Sequence, residues 1–171
     1  MAIPVSELQK LNPSSRIELF VMELVEGLHY ATGNPSSVPT TFRFHAGSSM
    51  NSNAEIVWQG NSYQRLPISF EGAEFTGRGQ VPRPTLTVAN LGGITRSGSV
   101  LTVTDLMIIV NQTTPHNDLA DAKITRITTL ASELDAANFP SSSNPFGTPS
   151  SNELPQEIFF IDRKTSESRE I

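Results

Sequence analysis

Between Val57 and Gly93 the chain reads VWQGNSYQRLPISFEGAEFTGRGQVPRPTLTVANLGG, and glycine or proline interrupts every short apolar or alternating segment in it. Proline lacks the amide that a helix interior needs, and glycine there costs about 1 kcal/mol relative to alanine, so this region is confined to extended segments joined by turns. EIVW, QGNS and YQRLPI read as a hairpin, two apolar and aromatic arms around a Gly-Asn turn that supplies positive φ. Phe70 to Thr76 reads as a further strand. Gly77 and Gly79 mark a turn, Pro82-Arg83-Pro84 holds the backbone extended, and Thr85 to Asn90 alternates Leu86 and Val88 against Thr85 and Thr87.

The flanking segments continue the pattern. Ser6 to Leu11 has room for one brief helix, which Asn12-Pro13-Ser14-Ser15 breaks. Arg16 to Val25, RIELFVMELV, puts Ile17, Leu19, Val21 and Val25 on one strand face and Phe20, Met22 and Leu24 on the other, the signature of a central strand buried on both sides. Thr32 to Thr41 is a loop, Phe42 to His45 a short strand, and Gly47 to Asn53 a Ser/Asn-rich insert. Ser97 to Val110, SGSVLTVTDLMIIV, is open between strand, which its β-branched residues favour, and buried helix, which its length permits; the balance leans to helix. Lys123 to Leu130 is a strand with Arg126 exposed, Ser141 to Asn152 a flexible loop, and Ile158 to Asp162 a last strand. No internal repeat is visible. The sum is a mainly β fold, a compact β-barrel or β-sandwich with a few short helices, in one domain over residues 1–171 with loop insertions around 31–53 and 140–153.

Composition narrows the function. The net charge is −5, and the largest cluster among the 12 basic residues is the pair Arg163-Lys164, so a phosphate-tracking surface is not expected and nucleic acid is a poor partner. Zero cysteines exclude disulfides, thiolate nucleophiles and cysteine-ligated metals within these 171 residues. No signal-peptide pattern opens MAIPVSELQK, and no apolar run approaches the ~20 residues of a membrane-spanning helix, so a soluble chain without a membrane anchor is expected.

No catalytic constellation emerges. His29, His45 and His116 each stand alone, without a second ligand at helical or hairpin spacing. Asp118 and Asp121 could lie one helical turn apart, a spacing common by chance that fits a helix or loop cap better than paired acid–base chemistry. Gly77-Arg78-Gly79 is too short for a dinucleotide fingerprint, and the serines lack a Gly-x-Ser-x-Gly elbow. Trp58 and Tyr63 have the chemistry to stack a sugar or a base, but beside a tight hairpin turn they more often form a cross-strand pair. The expectation is therefore no enzyme, with no catalytic, cofactor or metal residues.

Trp58-Gln59-Gly60, Pro67-Ile68, Gly77-Arg78-Gly79 and the run Arg83 to Leu91, in that order, resemble the minor tail protein L family of long-tailed bacteriophages. The resemblance continues weakly at Leu134 to Phe139 and at Leu154 to Lys164. It implies a structural virion protein of the tail tip or baseplate hub, assembled in the host cytoplasm. Its implied partners are the distal tail protein at the end of the tail tube and the central fibre or host-specificity protein, with a homotrimeric ring as the implied stoichiometry. Trp58, Tyr63, Arg78 and Arg83 become structural or interface candidates. Longer members carry a Cys-rich C-terminal segment that looks able to hold an iron–sulfur cluster; with no cysteine before Ile171, no cofactor carries over. The alternative is a carbohydrate-binding β-domain using Trp58 and Tyr63, and a hydrolase is a remote third. IFFID, with Phe159, Phe160 and Ile161, is expected to need cover from a ring neighbour, an adjacent hub protein or further sequence.

Overall fold

The computed structural model describes residues 2–33, 40–47, 54–73, 81–90, 94–96 and 99–167, with side chains undescribed at 94–96 and 99–101. It is mainly β, with a curled, half-barrel sheet and few short helices. The principal sheet is built from β1 (Arg16–Glu23), β2 (Thr41–His45), β3 (Ile56–Trp58), β4 (Asn61–Arg65), β9 (Lys123–Leu130) and β10 (Glu157–Phe160), in the order β10-β9-β1-β2-β4-β3. All neighbours are antiparallel except β2 and β4. Two further hairpins pair β5 (Ile68–Glu71) with β6 (Thr85–Val88) and β7 (Ile94–Arg96) with β8 (Ser99–Leu101). The helices are α1 (Val5–Leu8) and α2 (Val103–Thr113).

β1 is central, and its two faces feed two separate cores. Phe20, Met22 and Leu24 join Phe42, Phe44, Leu66, Ile124 and the α2 residues Leu106 and Val110. Leu19 joins Ile56, Trp58, Tyr63, Ile127 and Leu134, with Ile17 and Val21 packed against that cluster. The alternation in RIELFVMELV thus encodes both layers at once. The β5–β6 hairpin covers the first face through Phe70. This ring meets Phe20 edge-on at 5.7 Å and Phe159 at 5.5 Å between centroids, and the Arg126 guanidinium lies 5.2 Å from its centre.

Ser97 to Val110 resolves into both readings. Ser99–Leu101 is strand, and Thr102 then caps α2: its hydroxyl accepts the Asp105 amide at 3.1 Å while the Asp105 carboxylate accepts the Thr102 amide at 2.9 Å. That reciprocal pair starts a helix rich in β-branched residues, and burial of Leu106 and Val110 outweighs their modest propensity.

Three local expectations are corrected. Arg126 is not exposed: its side chain is 15% accessible, ion-paired at 2.8 Å to both Glu18 and Glu157, because Phe70 closes over it. The loop over 141–152 is tied down. Asn144 Nδ2 donates to the Ser132 and Leu134 carbonyls at 3.0 and 2.9 Å, and Ser150 and Asn152 bond the buried Glu133 carboxylate. The β5 strand ends at Glu71, where Gly72 turns the chain at φ +80°; residues 74–80 lie outside the described segments.

Candidate interface: the two edges of the principal sheet

The β3 edge is closed by its own chain. In the β3–β4 hairpin Trp58 pairs with Asn61, so the two turn residues are Gln59 and Gly60, both at positive φ (51° and 71°). The turn lies one residue before the Gly-Asn position that its residue types favour. Gln59 holds its left-handed conformation with its amide bonded to Asp135 Oδ1 at 3.1 Å, and Gly60 N bonds Oδ2 at 2.7 Å. Asn138 completes the closure: its Oδ1 accepts the outward Val57 amide at 2.7 Å, and its Nδ2 donates to the Val57 carbonyl at 2.5 Å. One asparagine side chain thus satisfies both outward groups of Val57, as a neighbouring strand would.

Trp58 and Tyr63 lie behind this closed edge, 3% and 2% exposed. They are not directly opposite one another. Tyr63 faces Ile56, and Trp58 faces Asn61, which makes the two rings diagonal neighbours in one cluster. The Trp58 indole N–H has no partner among the described residues. Burial raises the Tyr63 phenol above its ordinary value, opposed by the nearby Arg43 guanidinium.

Among the described residues the β10 edge is open. The Ala131 amide bonds the Ser15 carbonyl, which fixes the phase of the β1–β9 ladder: Lys123, Thr125, Ile127 and Thr129 turn their amides and carbonyls to β1. Ile124 and Arg126 turn theirs to Phe159 and Glu157, a phase extended by the Ile161 amide on the Ala122 carbonyl at 3.0 Å. Ile158 and Phe160 therefore point their backbone groups away from the sheet. Their side chains are also the exposed ones, at 52% and 65%, whereas Phe159 packs on Phe70 and Glu157 binds Arg126. Arg163 lies just beyond the strand, exposed and without an ion pair among the described residues. Lys164 is held by Asp118 and Glu167, each at 2.9 Å.

The other candidate residues do not converge on these edges. Arg83 is exposed in the extended segment leading into β6, and Arg78 lies outside the described residues. His29 is structural: its Nδ1 accepts the Val25 amide and its Nε2 donates to the Ala120 carbonyl, both at 2.8 Å. His45 is fully buried, with Nε2 on the Ala54 carbonyl at 3.0 Å. Burial chiefly, with the Arg65 charge adding, holds its pKa below the ordinary value of 6.5. Asp118 and Asp121 sit in a turn with left-handed backbone, not on a helix; Asp118 is bound by Asn111 and Lys164. The described residues contain no group of three His, Asp or Glu side chains disposed to hold a metal, and no helix among them is long and apolar enough to cross a membrane.

Asp135 and Asn138, which close the β3 edge, carry no local signal of that role in the sequence. Their segment, LDAANF, stands out there only by its resemblance, and the side-chain bonds it makes to the β3–β4 hairpin span 75 to 81 positions of chain.

Among the described residues, then, one edge of the principal sheet is closed by its own chain and the other is open. The family model for phage minor tail protein L matches residues 36–171, and the chain belongs to that family. It is a structural protein of the phage tail. The match begins well before Trp58, where the motif resemblance starts. The chain is also 33% identical over 84 residues to Tail tip protein L of Escherichia phage lambda, a stretch covering 49% of this chain and 30% of that relative.

Proposed function

We propose that the chain is a hub component at the tail tip, linking the distal end of the tail tube to the central fibre or host-specificity protein. The observation that carries this reading is the family match over most of the chain, together with the tail-tip designation of the lambda relative. On this reading residues 1–171 act as one unit, assembled with the distal tail protein and the central fibre protein in the host cytoplasm as a ring of three copies. Closed symmetry is the ordinary solution for a permanent assembly, and the number three follows the family. Such a component has no turnover to perform, and its surface is the functional object.

The competing sugar-binding reading requires an accessible ring face on Trp58 or Tyr63, and both are buried. The hub reading is therefore the better supported of the two.

The test is genetic and structural. Deleting the gene from its phage is expected to yield particles without infectious tails, restored by supplying the chain in trans, and antibody labelling is expected at the distal tail end. Normal infectivity of the deletion, or label confined to the head, would overturn the proposal.

A further inference from the structure

We propose that β10 receives an extended strand from a different tail polypeptide, one with apolar residues at alternate positions against Ile158 and Phe160 and a carboxylate beside Arg163. The inference rests on the reading of the chain as a tail component and names how one of its partners is gripped.

Backbone, side chains and charge all point to a strand at this edge. The outward amides and carbonyls belong to Ile158 and Phe160, residues two apart, the spacing at which an added strand forms its bonds. The same two residues expose large apolar side chains on one sheet face. A polar loop would satisfy the backbone and leave that surface wet, and a helix would cover the surface and leave the backbone unpaired. Only an extended segment with alternating apolar residues does both.

The occupant is not another copy of this chain. The β3 edge of a neighbouring copy is unavailable, since Asn138 and Asp135 already hold the outward groups of Val57 and the turn amides. In the symmetric alternative, two β10 strands lie antiparallel with Ile158 opposite Phe160 of the second copy. In that register Arg163 falls opposite Pro155 of the second copy, which offers it no counter-charge. That contact also joins only two four-residue strands, far below the ~1,200 Å² of a standard stable interface. A strand supplied within a larger contact to another tail protein meets neither obstacle, and its acidic residue gives Arg163 a counter-charge that no described residue supplies.

Three measurements test this. The isolated chain is expected to sediment as a monomer, whereas a concentration-dependent dimer abolished by Phe160→Pro would assign the edge to a second copy and overturn the proposal. Phe160→Pro removes an outward N–H and a ring that is 65% exposed, so the isolated variant is expected to keep the wild-type melting temperature while phage carrying it lose infectious titre about tenfold or more. Arg163→Glu, at an exposed site that leaves the fold untouched, is expected to lose titre in the same direction, with Arg163→Lys near wild type. Should Phe160→Pro misfold, the Arg163 pair decides: equal titres for Glu and Lys would contradict the proposal. Wild-type chain absent from purified tails would defeat the tail reading and this inference together. Chain present in tails, with all variants assembling normally, would defeat the strand docking alone.

Discussion

At one edge of the principal sheet Val57 has both outward backbone groups bonded to a single asparagine, and Trp58 behind it is 3% exposed; at the other, Ile158 and Phe160 present backbone and apolar side chains to solvent. The two edges belong to one ladder and obey the same alternation, so the difference lies in the path of the chain after β9 and after β10. Beyond β9 the chain turns through Asp135 to Asn138 and back over β3. Beyond β10 it leaves past α2, held by Lys164 on Asp118 at 2.9 Å and by Glu167, which accepts the hydroxyl of Thr104 in α2 at 3.1 Å. Open strand edges invite unwanted pairing, and native sheets usually blunt them with charge, proline or a bulge. One edge blunted and one left apolar is the asymmetry of a subunit that grows its sheet in a single direction.

The largest expected effect is at Trp58. Trp58→Ala removes a large buried ring from the cluster behind β3 and is expected to cost about 3–5 kcal/mol in denaturant unfolding. An unchanged melting temperature would show that the closed edge does not depend on its core. Asn138→Ala comes next. It frees the Val57 amide and leaves the carbonyl only the 3.3 Å bond from the Asp135 amide, an expected loss of about 1–3 kcal/mol, accompanied by self-association through the newly exposed edge. A variant as stable and as monodisperse as wild type would mean that the cap is dispensable.

A smaller effect comes from His45, which lies at the end of β2 in the middle of the sheet. Its folded pKa is depressed, so the unfolded chain binds the proton more readily than the fold does. Its contribution to stability is therefore present above the unfolded value near 6.5 and is lost as pH falls below it. Unfolding midpoints at about pH 7.5 and about pH 5 should differ more for wild type than for His45→Gln. Equal slopes would remove His45 from the account. The smallest effect is expected at the open edge, where Ile158→Thr should change the stability of the isolated chain by no more than about 0.5 kcal/mol, because the side chain is half in water already. A large loss there would show that the edge is covered from within.

Much of the fold is legible in the sequence, and the illegible parts share a cause. The two-faced burial of β1 comes from the alternation of Ile17, Leu19 and Val21 with Phe20 and Met22, a local signal of period two. β6, β9 and the exposed apolar β10 are readable in the same way, whereas β5, expected from Phe70 to Thr76, lies at Ile68–Glu71. Three readings fail where a distant residue overrides a local preference. Gln59 takes the left-handed position with its amide bonded to Asp135. Arg126 is only 15% accessible because Phe70 closes over it. The loop over 141–152 is anchored because Glu133 lies beneath it. The boundary inside Ser97 to Val110 is hidden for another reason, since β-branched residues serve strand and buried helix alike and only the Thr102–Asp105 pair marks the switch.

The asymmetry of the two edges is tested most directly by residue-resolved amide hydrogen exchange on the isolated chain. The account predicts that Val57 exchanges as slowly as the central residues of β1, that Glu157 and Phe159 are protected through their bonds to β9, and that Ile158 and Phe160 exchange at nearly the rate of an unstructured peptide. Protection of Ile158 and Phe160 equal to that of Val57, or rapid exchange at Val57, would contradict it.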